Sequence, residues 1–361
     1  LLNGSFVHSN FMGTGNRVAA EINAGQYSKV FSLSHTDPYT TIDGVSRTVS
    51  ATWRSISQFT SSSSDFETET GTLGLDYAWP LTEFQSVRMG FAAQRSDLFT
   101  DPNSSSAEAL YWVQNNGNTY TEVQNVGIPP IALTYYGTRF DTFEYSLGWS
   151  YDSRNRALFA DRGSRHRLSA SYALPFSDID FVSFNYDYLQ FIPVSKWFTL
   201  MFNSEAGYGQ ALGDTTSMPP YRRFFAGGPE TVRGYRESRM GPKDSFGNPY
   251  GGNIKFTNQF ELLLPMPAKW RNSARFSLFF DIGNVFSNDD VAYVGRDGVT
   301  PVDYEFSFDK LRYSTGVAVQ WMAPLGVFRF SYAVPLNEFK GNAVEYPDET
   351  EGFQFSIGQA F

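Results

Sequence analysis

Residues 311–321, Leu311-Arg312-Tyr313-Ser314-Thr315-Gly316-Val317-Ala318-Val319-Gln320-Trp321, alternate without a break. In an extended strand successive side chains point to opposite faces. One face here carries Leu311, Tyr313, Thr315, Val317, Val319 and Trp321; the other carries Arg312, Ser314, Gly316, Ala318 and Gln320. The first is oily and aromatic, the second small or polar. A strand that crosses a bilayer needs about 9 to 11 residues, with its apolar side on lipid and its polar side on a watery lumen. The same split recurs in Phe143, Tyr145, Leu147, Trp149 and Tyr151 against Glu144, Ser146, Gly148, Ser150 and Asp152. It recurs again in Phe328, Phe330, Tyr332 and Val334 against Arg329, Ser331 and Ala333.

Carried along the 361 residues, the same test finds about fifteen segments, starting near Leu2, Arg17, Lys29, Ser46, Gly71, Ser86, Thr142, Arg165, Val182, Phe198, Asn253, Arg275, Leu311, Val327 and Gly352. Their connections alternate in kind. Short Pro-containing ones (Trp79-Pro80-Leu81, Ile192-Pro193-Val194, Leu264-Pro265-Met266-Pro267, Ala323-Pro324-Leu325-Gly326) take turns with long polar ones (Thr60 to Thr70, Leu98 to Asp141, Gln210 to Gly252, Ser287 to Lys310). Short periplasmic turns and long outer loops are the asymmetry of an outer-membrane barrel. The expected fold is all-β, a transmembrane antiparallel β-barrel that fills residues 1–361 as one domain. Such barrels usually hold an even number of strands, so an odd count implies 16 in the full protein, with the first strand upstream of this chain. A soluble β-sandwich or propeller also alternates, but it buries its aromatics on one shared core instead of repeating an aromatic face in every segment.

Composition agrees. Aromatics make up 17% of the chain, with 34 Phe and 21 Tyr, yet no apolar run approaches the roughly 18 residues of a spanning helix. Cysteine is absent, which removes disulfides, thiolate metal sites and a cysteine nucleophile. A net charge of -9 argues against nucleic acid as a partner, since phosphate binding needs a basic face. The chain opens with Leu1-Leu2-Asn3-Gly4 inside a strand pattern and without a cleavable signal, as a fragment of a longer secreted precursor would. His8, His35 and His166, the three histidines, stand in no zinc-ligand spacing, and there is no G-x-S-x-G elbow. His35 and His166 read as strand-end residues and Asp289-Asp290 as a solvated loop. The sequence points to no catalytic residue, metal or cofactor, although a membrane hydrolase needs only a Ser and a His on one face.

The long connection from 210 to 252 contains Phe224-Phe225-Ala226-Gly227-Gly228, then Val232-Arg233-Gly234-Tyr235, then Met240-Gly241-Pro242-Lys243. This resembles the loop-six signature of the superfamily that holds the BamA and TamA assembly factors and the two-partner-secretion transporters. Further stretches resemble the BamA family in register: Asn10-Phe11-Met12-Gly13-Thr14-Gly15, Thr36-Asp37-Pro38-Tyr39 with Ile42-Asp43-Gly44-Val45-Ser46, and Gln320-Trp321-Met322-Ala323-Pro324-Leu325-Gly326. Together they span nearly the whole chain. Tyr235, where phenylalanine is commoner, and Phe361, in place of tryptophan, depart from the pattern but keep an aromatic ring.

The resemblance implies that extracellular loop six folds into the lumen and that Arg233 meets acidic residues on the wall, at the matching positions Glu261 and Asp281. Strand parity agrees, because Glu261 falls with Lys255, Thr257 and Gln259, and Asp281 with Arg275 and Ser277, opposite the apolar faces. Parity alone favours ordinary wet lumen carboxylates, as in a porin; the signature reverses that preference. The last segment, Gly352 to Phe361, resembles the C-terminal signal of outer-membrane barrels, with Phe353, Phe355, Ile357, Gly358 and Phe361 on the seam strand. Gly358 has no side chain to pack and weakens pairing there.

The function implied is non-enzymatic folding and insertion of β-barrel proteins into the outer membrane of a Gram-negative bacterium, through a lateral seam between the first and last strands. A weakly paired edge can template an incoming strand by β-augmentation. The partners implied are unfolded outer-membrane barrel precursors, the lipid bilayer, and accessory outer-membrane lipoproteins reached mainly through periplasmic repeat domains upstream. A TamA-like factor and a two-partner-secretion transporter remain alternatives; a passive porin would lack the loop-six signature.

Overall fold

The computed structural model describes all residues except 1, 25–27, 58–65, 103, 127–129, 268, 271–272, 324–325 and 359–361. Fifteen antiparallel strands follow one another around the wall, and one side strand brings the sheet to 16. The fifteen are β1 (Leu2–His8), β2 (Arg17–Ala24), β3 (Ser28–Asp37), β4 (Ser46–Ser57), β5 (Glu67–Pro80), β6 (Gln85–Thr100), β7 (Ile131–Asp152), β8 (Gly163–Ala173), β9 (Asp180–Pro193), β10 (Thr199–Leu212), β11 (Ile254–Leu263), β12 (Ala274–Phe286), β13 (Arg312–Ala323), β14 (Gly326–Pro335) and β15 (Phe353–Gly358). Among the described residues no pairing joins β1 to β15. From β9 to β15 short and long connections take turns, at 5, 41, 10, 25, 2 and 17 residues, but the expected alternation breaks earlier, where ten residues join β7 to β8 and only six join β8 to β9.

The outer face is built from cross-strand aromatic pairs, the unit that stabilises neighbouring strands on one face. Phe91 of β6 meets Tyr145 of β7 at 5.0 Å between ring centroids, Phe202 of β10 meets Phe260 of β11 at 4.9 Å, and Phe330 of β14 meets Phe355 of β15 at 5.0 Å. Phe260, Phe280, Trp321 and Phe353 are exposed on that face, the burial pattern of a wall solvated by lipid. The inner face is polar, and on β11 to β15 it is covered: Thr257, Gln259, Glu261, Asp281, Ser314, Ser331 and Gln354 are all buried.

The reading of the connection before β7 is also corrected. Residues 98–141 do not form a single loop. β7 begins at Ile131, eleven residues before the segment read from the sequence, and the connection before it holds α1 (Ala107–Asn115) and the side strand Asn118–Val126, which pairs with the upper part of β7. The Ser106 hydroxyl caps α1 by accepting from the Ala109 N–H at 3.3 Å. Above the membrane β7 faces neither lipid nor a wet lumen, so the aromatic-out, polar-in rule ceases to describe it. Its inner residues Thr138 and Phe140 are buried, and Phe140 packs against Trp112 of α1. Trp112, Val113, Leu98, Phe140, Phe181 and Met218 belong to one apolar cluster that joins α1 to β6, β7, β9 and the connection after β10.

Candidate functional site

Residues 213–253 leave β10 and return as β11, and the tetrapeptide Val232–Tyr235 lies against the inner face of the C-terminal strands. Gly234 has φ +88°, in the left-handed region that glycine enters without cost, and a Cβ on it would lie 3.0 Å from the Cβ of Ala333 on β14. The absence of a side chain lets the backbone reach the wall. Val232 and Tyr235, both fully buried, flank it in an apolar cluster with Ala226, Met240 and Val285.

Arg233 is held at every polar point. Its Nε and Nη2 donate to Asp281 Oδ2 and Oδ1, each at 2.7 Å, and its backbone N–H donates to Asp281 Oδ2 at 3.0 Å. Nη1 donates to Glu261 Oε1 at 2.5 Å, and the Arg233 carbonyl accepts from Ser314 Oγ at 2.5 Å. Register explains the placement: Asp281 of β12 lies opposite Gln259 of β11 on one side and Ser314 of β13 on the other. The guanidinium also lies 3.6 Å from the centroid of the Phe279 ring. Gly316 makes room for that ring, since a Cβ there would sit 2.8 Å from its tip.

The side chains of Arg233, Glu261 and Asp281 are 5%, 4% and 0% exposed, so this is a buried ion triad. Burial opposes the charge on Arg233, but the hydrogen bonds and charges of Asp281 and Glu261 outweigh it, and its pKa stands above the ordinary arginine value. The guanidinium therefore remains charged. A bidentate fork with a second carboxylate and a stacked ring is chemistry that lysine cannot reproduce. Glu261 Oε2 is buried and makes no hydrogen bond.

Past the anchor, Gly234 and Tyr235 pair with Glu351 and Thr350 in a two-stranded sheet, and the Arg236 N–H donates to the Glu349 carbonyl at 2.8 Å. The Glu349 carboxylate takes Arg239 Nε at 2.6 Å and Lys243 Nζ at 3.0 Å. Despite partial burial, these two cations hold its pKa below the usual carboxylate range.

A second set of charges ties the loop to the extracellular cap. Arg222 bonds Glu144 of β7. Arg223, fully buried, donates to Asp289 Oδ2 at 3.2 Å and to the Tyr293 hydroxyl at 3.1 Å, with its guanidinium 4.6 Å from the Tyr250 ring. Burial pushes the Tyr293 hydroxyl up to about 12. Asp289 is thus not in a solvated loop, as its sequence suggested; its side chain is 6% exposed because loop six covers it.

The structure brings Arg233, Glu261 and Asp281 together and places Phe353, Phe355 and Ile357 apart from them, exposed on the outer face of β15. Gly358 pairs with Val327 of β14, and Phe361 lies outside the described residues. Sequence reasoning missed Phe279, an aromatic at an inward position, and Gln354, whose inward parity was visible in the alternation of Phe353, Phe355 and Ile357. It also missed Arg222 and Arg223, which the doublet at the start of the Phe224-Phe225 stretch could have signalled.

A circuit of antiparallel strands with a lipid-type outer face and a polar interior partly filled by its own loop defines a membrane β-barrel. A family model described as the Omp85 superfamily domain matches residues 10–361. The chain belongs to the Omp85 superfamily. It is 33% identical over 98% of its length to the outer membrane protein assembly factor BamA of Neisseria meningitidis serogroup B, of which it spans 44%. BamA of Nitratidesulfovibrio vulgaris is 27% identical over 40% of the chain, which covers 16% of that protein. The chain therefore spans less than half the length of these curated relatives. Among solved structures, BamA from Haemophilus ducreyi lacking POTRA domains 1–3 superposes with a TM-score of 0.81 at 24% identity, over 98% of this chain and 66% of that one.

Proposed function

We propose that this chain is the membrane domain of a factor that folds and inserts β-barrel proteins into the outer membrane of a Gram-negative bacterium. The observation that carries the reading is the Arg233–Glu261–Asp281 triad, intact in a chain that is similar along nearly its whole length to a BamA. The partners are unfolded outer-membrane barrel precursors and the lipid bilayer, with accessory lipoproteins engaged outside this domain. The step is strand exchange and not bond chemistry. Among the described residues β15 pairs with β14, and a seam edge opened to lipid offers unpaired N–H and C=O groups that cost several kcal/mol each, on the order of a full desolvation penalty, until a client strand pairs with them. The client then grows by hairpin addition at the seam and leaves when its own wall closes. Backbone hydrogen bonding supplies the driving force, so the step needs no nucleotide.

Reconstituted in phospholipid vesicles with an unfolded barrel client, the protein is expected to raise the client's folding rate, read as heat-modifiable gel mobility. Equal rates in empty and loaded vesicles overturn the reading.

A further inference from the structure

Each of the last five strands touches the tetrapeptide Val232–Tyr235. β11 supplies Glu261 and β12 supplies Asp281 to the Arg233 side chain, β13 supplies Ser314 to the Arg233 carbonyl, and β14 lays Ala333 against Gly234. The fifth contact is Gln354 of β15. Its Oε1 accepts from the Gly234 N–H at 3.2 Å, and its Nε2 donates to the Tyr235 carbonyl at 2.7 Å. One amide side chain, 4% exposed, thus offers the loop the acceptor and donor that a paired strand would offer. Immediately before β15, Thr350 and Glu351 pair with Tyr235 and Gly234. Loop six is therefore bonded to the last strand and its lead-in from Glu349 to Gln354.

Among the described residues, six residue pairs join β15 to β14, and the two Gln354 bonds to loop six add to them.

We propose that Gln354 is the positioning residue through which loop six holds the last strand, so that release of β15 and release of loop six are one linked event. Linkage is reciprocal: whatever loosens the Arg233 anchor loosens β15, and whatever frees β15 loosens Val232–Tyr235. The contact is independent of the insertase reading; only its consequence for a client at the seam rests on that reading.

Hydrogen exchange of the protein in lipid nanodiscs tests this, comparing the parent with Gln354→Leu, Gln354→Glu and Arg233→Ala. Leucine keeps the bulk and removes both side-chain bonds to the loop, while the backbone pairing of Gly234 and Tyr235 with Glu351 and Thr350 is left in place. Glutamate keeps the acceptor and loses the donor. In Gln354→Leu, exchange is expected to rise about tenfold at Gly234–Arg236 as well as at Phe353–Ile357, the size set by the loss of two buried hydrogen bonds. Gln354→Glu is expected to show a smaller rise in both segments. Arg233→Ala, whose side chain is bonded to Glu261 of β11 and Asp281 of β12, is expected to raise exchange at Phe353–Ile357, with β6 and β7 unchanged. Rates that change only in the element carrying the substitution overturn the proposal, as does a Gln354→Leu profile identical to the parent. A parent that fails to fold clients overturns the insertase reading and leaves these exchange outcomes to stand or fall by themselves.

Discussion

The wall of the barrel carries one kind of outer face and two kinds of interior. β11 to β15 turn Glu261, Asp281, Ser314 and Gln354 onto loop six, where all four are buried. β4 to β6 turn Thr52, Arg54, Thr70, Thr72 and Gln94 toward a cavity of about 750 Å³ that separates them from Tyr221 and Arg222 of the same loop. Glu261 and Arg54 are equivalent by parity, each a charge on the inner face of a lipid-crossing strand. Cover makes the difference. Under loop six a charge must be paired or cost several kcal/mol, whereas beside the cavity it is solvated and contributes little. One half of the wall is therefore tied by its interior, and the other is held by its strand ladder and its lipid face.

Charge removal should break that contrast most visibly. Arg233→Ala leaves two buried carboxylates unpaired and should cost about 3 to 5 kcal/mol, read as a lower temperature of barrel unfolding by heat-modifiable mobility. Arg54→Ala, in the open half, should stay within about 0.5 kcal/mol of the parent. Similar losses at both positions would erase the distinction between the halves. Arg233→Lys keeps the charge but loses the fork to Asp281, and should fall between them, near the roughly 1.5 to 3 kcal/mol of a hydrogen bond to a charged group.

A subtler change sharpens the same contrast through the backbone. Gly234→Ala puts a Cβ at φ +88° and against Ala333, so it should destabilise by about 1 to 2 kcal/mol even though it removes no contact. Thermal unfolding equal to the parent's would mean that the tetrapeptide can leave the wall at no cost.

The smallest effect expected is one of pH. The folded-state pKa of Glu349 is depressed by Arg239 and Lys243, so its contribution is fully present above the unfolded carboxylate value of about 4.3 and is lost as the pH falls through the lower folded value. Protection of residues 236–243 from exchange should therefore be flat from neutral pH to about 4.3 and decline below it, by about 1 kcal/mol or less for a carboxylate that keeps a quarter of its side chain in solvent. A decline that begins near neutral pH would assign the change to another group.

The parts of this structure that sequence revealed are those governed by period. Each strand must keep its rings on lipid, so alternation located all fifteen strands of the wall and put Glu261 and Asp281 on the inside. The resemblance of Val232–Tyr235 to the family's loop-six signature, and not any period, singled out Arg233. Period is silent about what covers the inner face. Gln354 alternates like any lumen residue, and its partner Tyr235 lies 119 positions away. Asp289 looks like a loop acid until Arg223 is laid over it. The helix Ala107–Asn115 escaped for a related reason, since its surroundings above the membrane obey neither the lipid rule nor the lumen rule.

The central claim is that Arg233 and Asp281 hold each other in a dry interior. A double-mutant cycle over Arg233→Ala, Asp281→Ala and the pair, with unfolding followed by heat-modifiable mobility, measures that directly. The account predicts a coupling energy of about 2 kcal/mol or more, the double variant being far less damaged than the sum of the two single losses. Losses that add to within about 0.5 kcal/mol would contradict it.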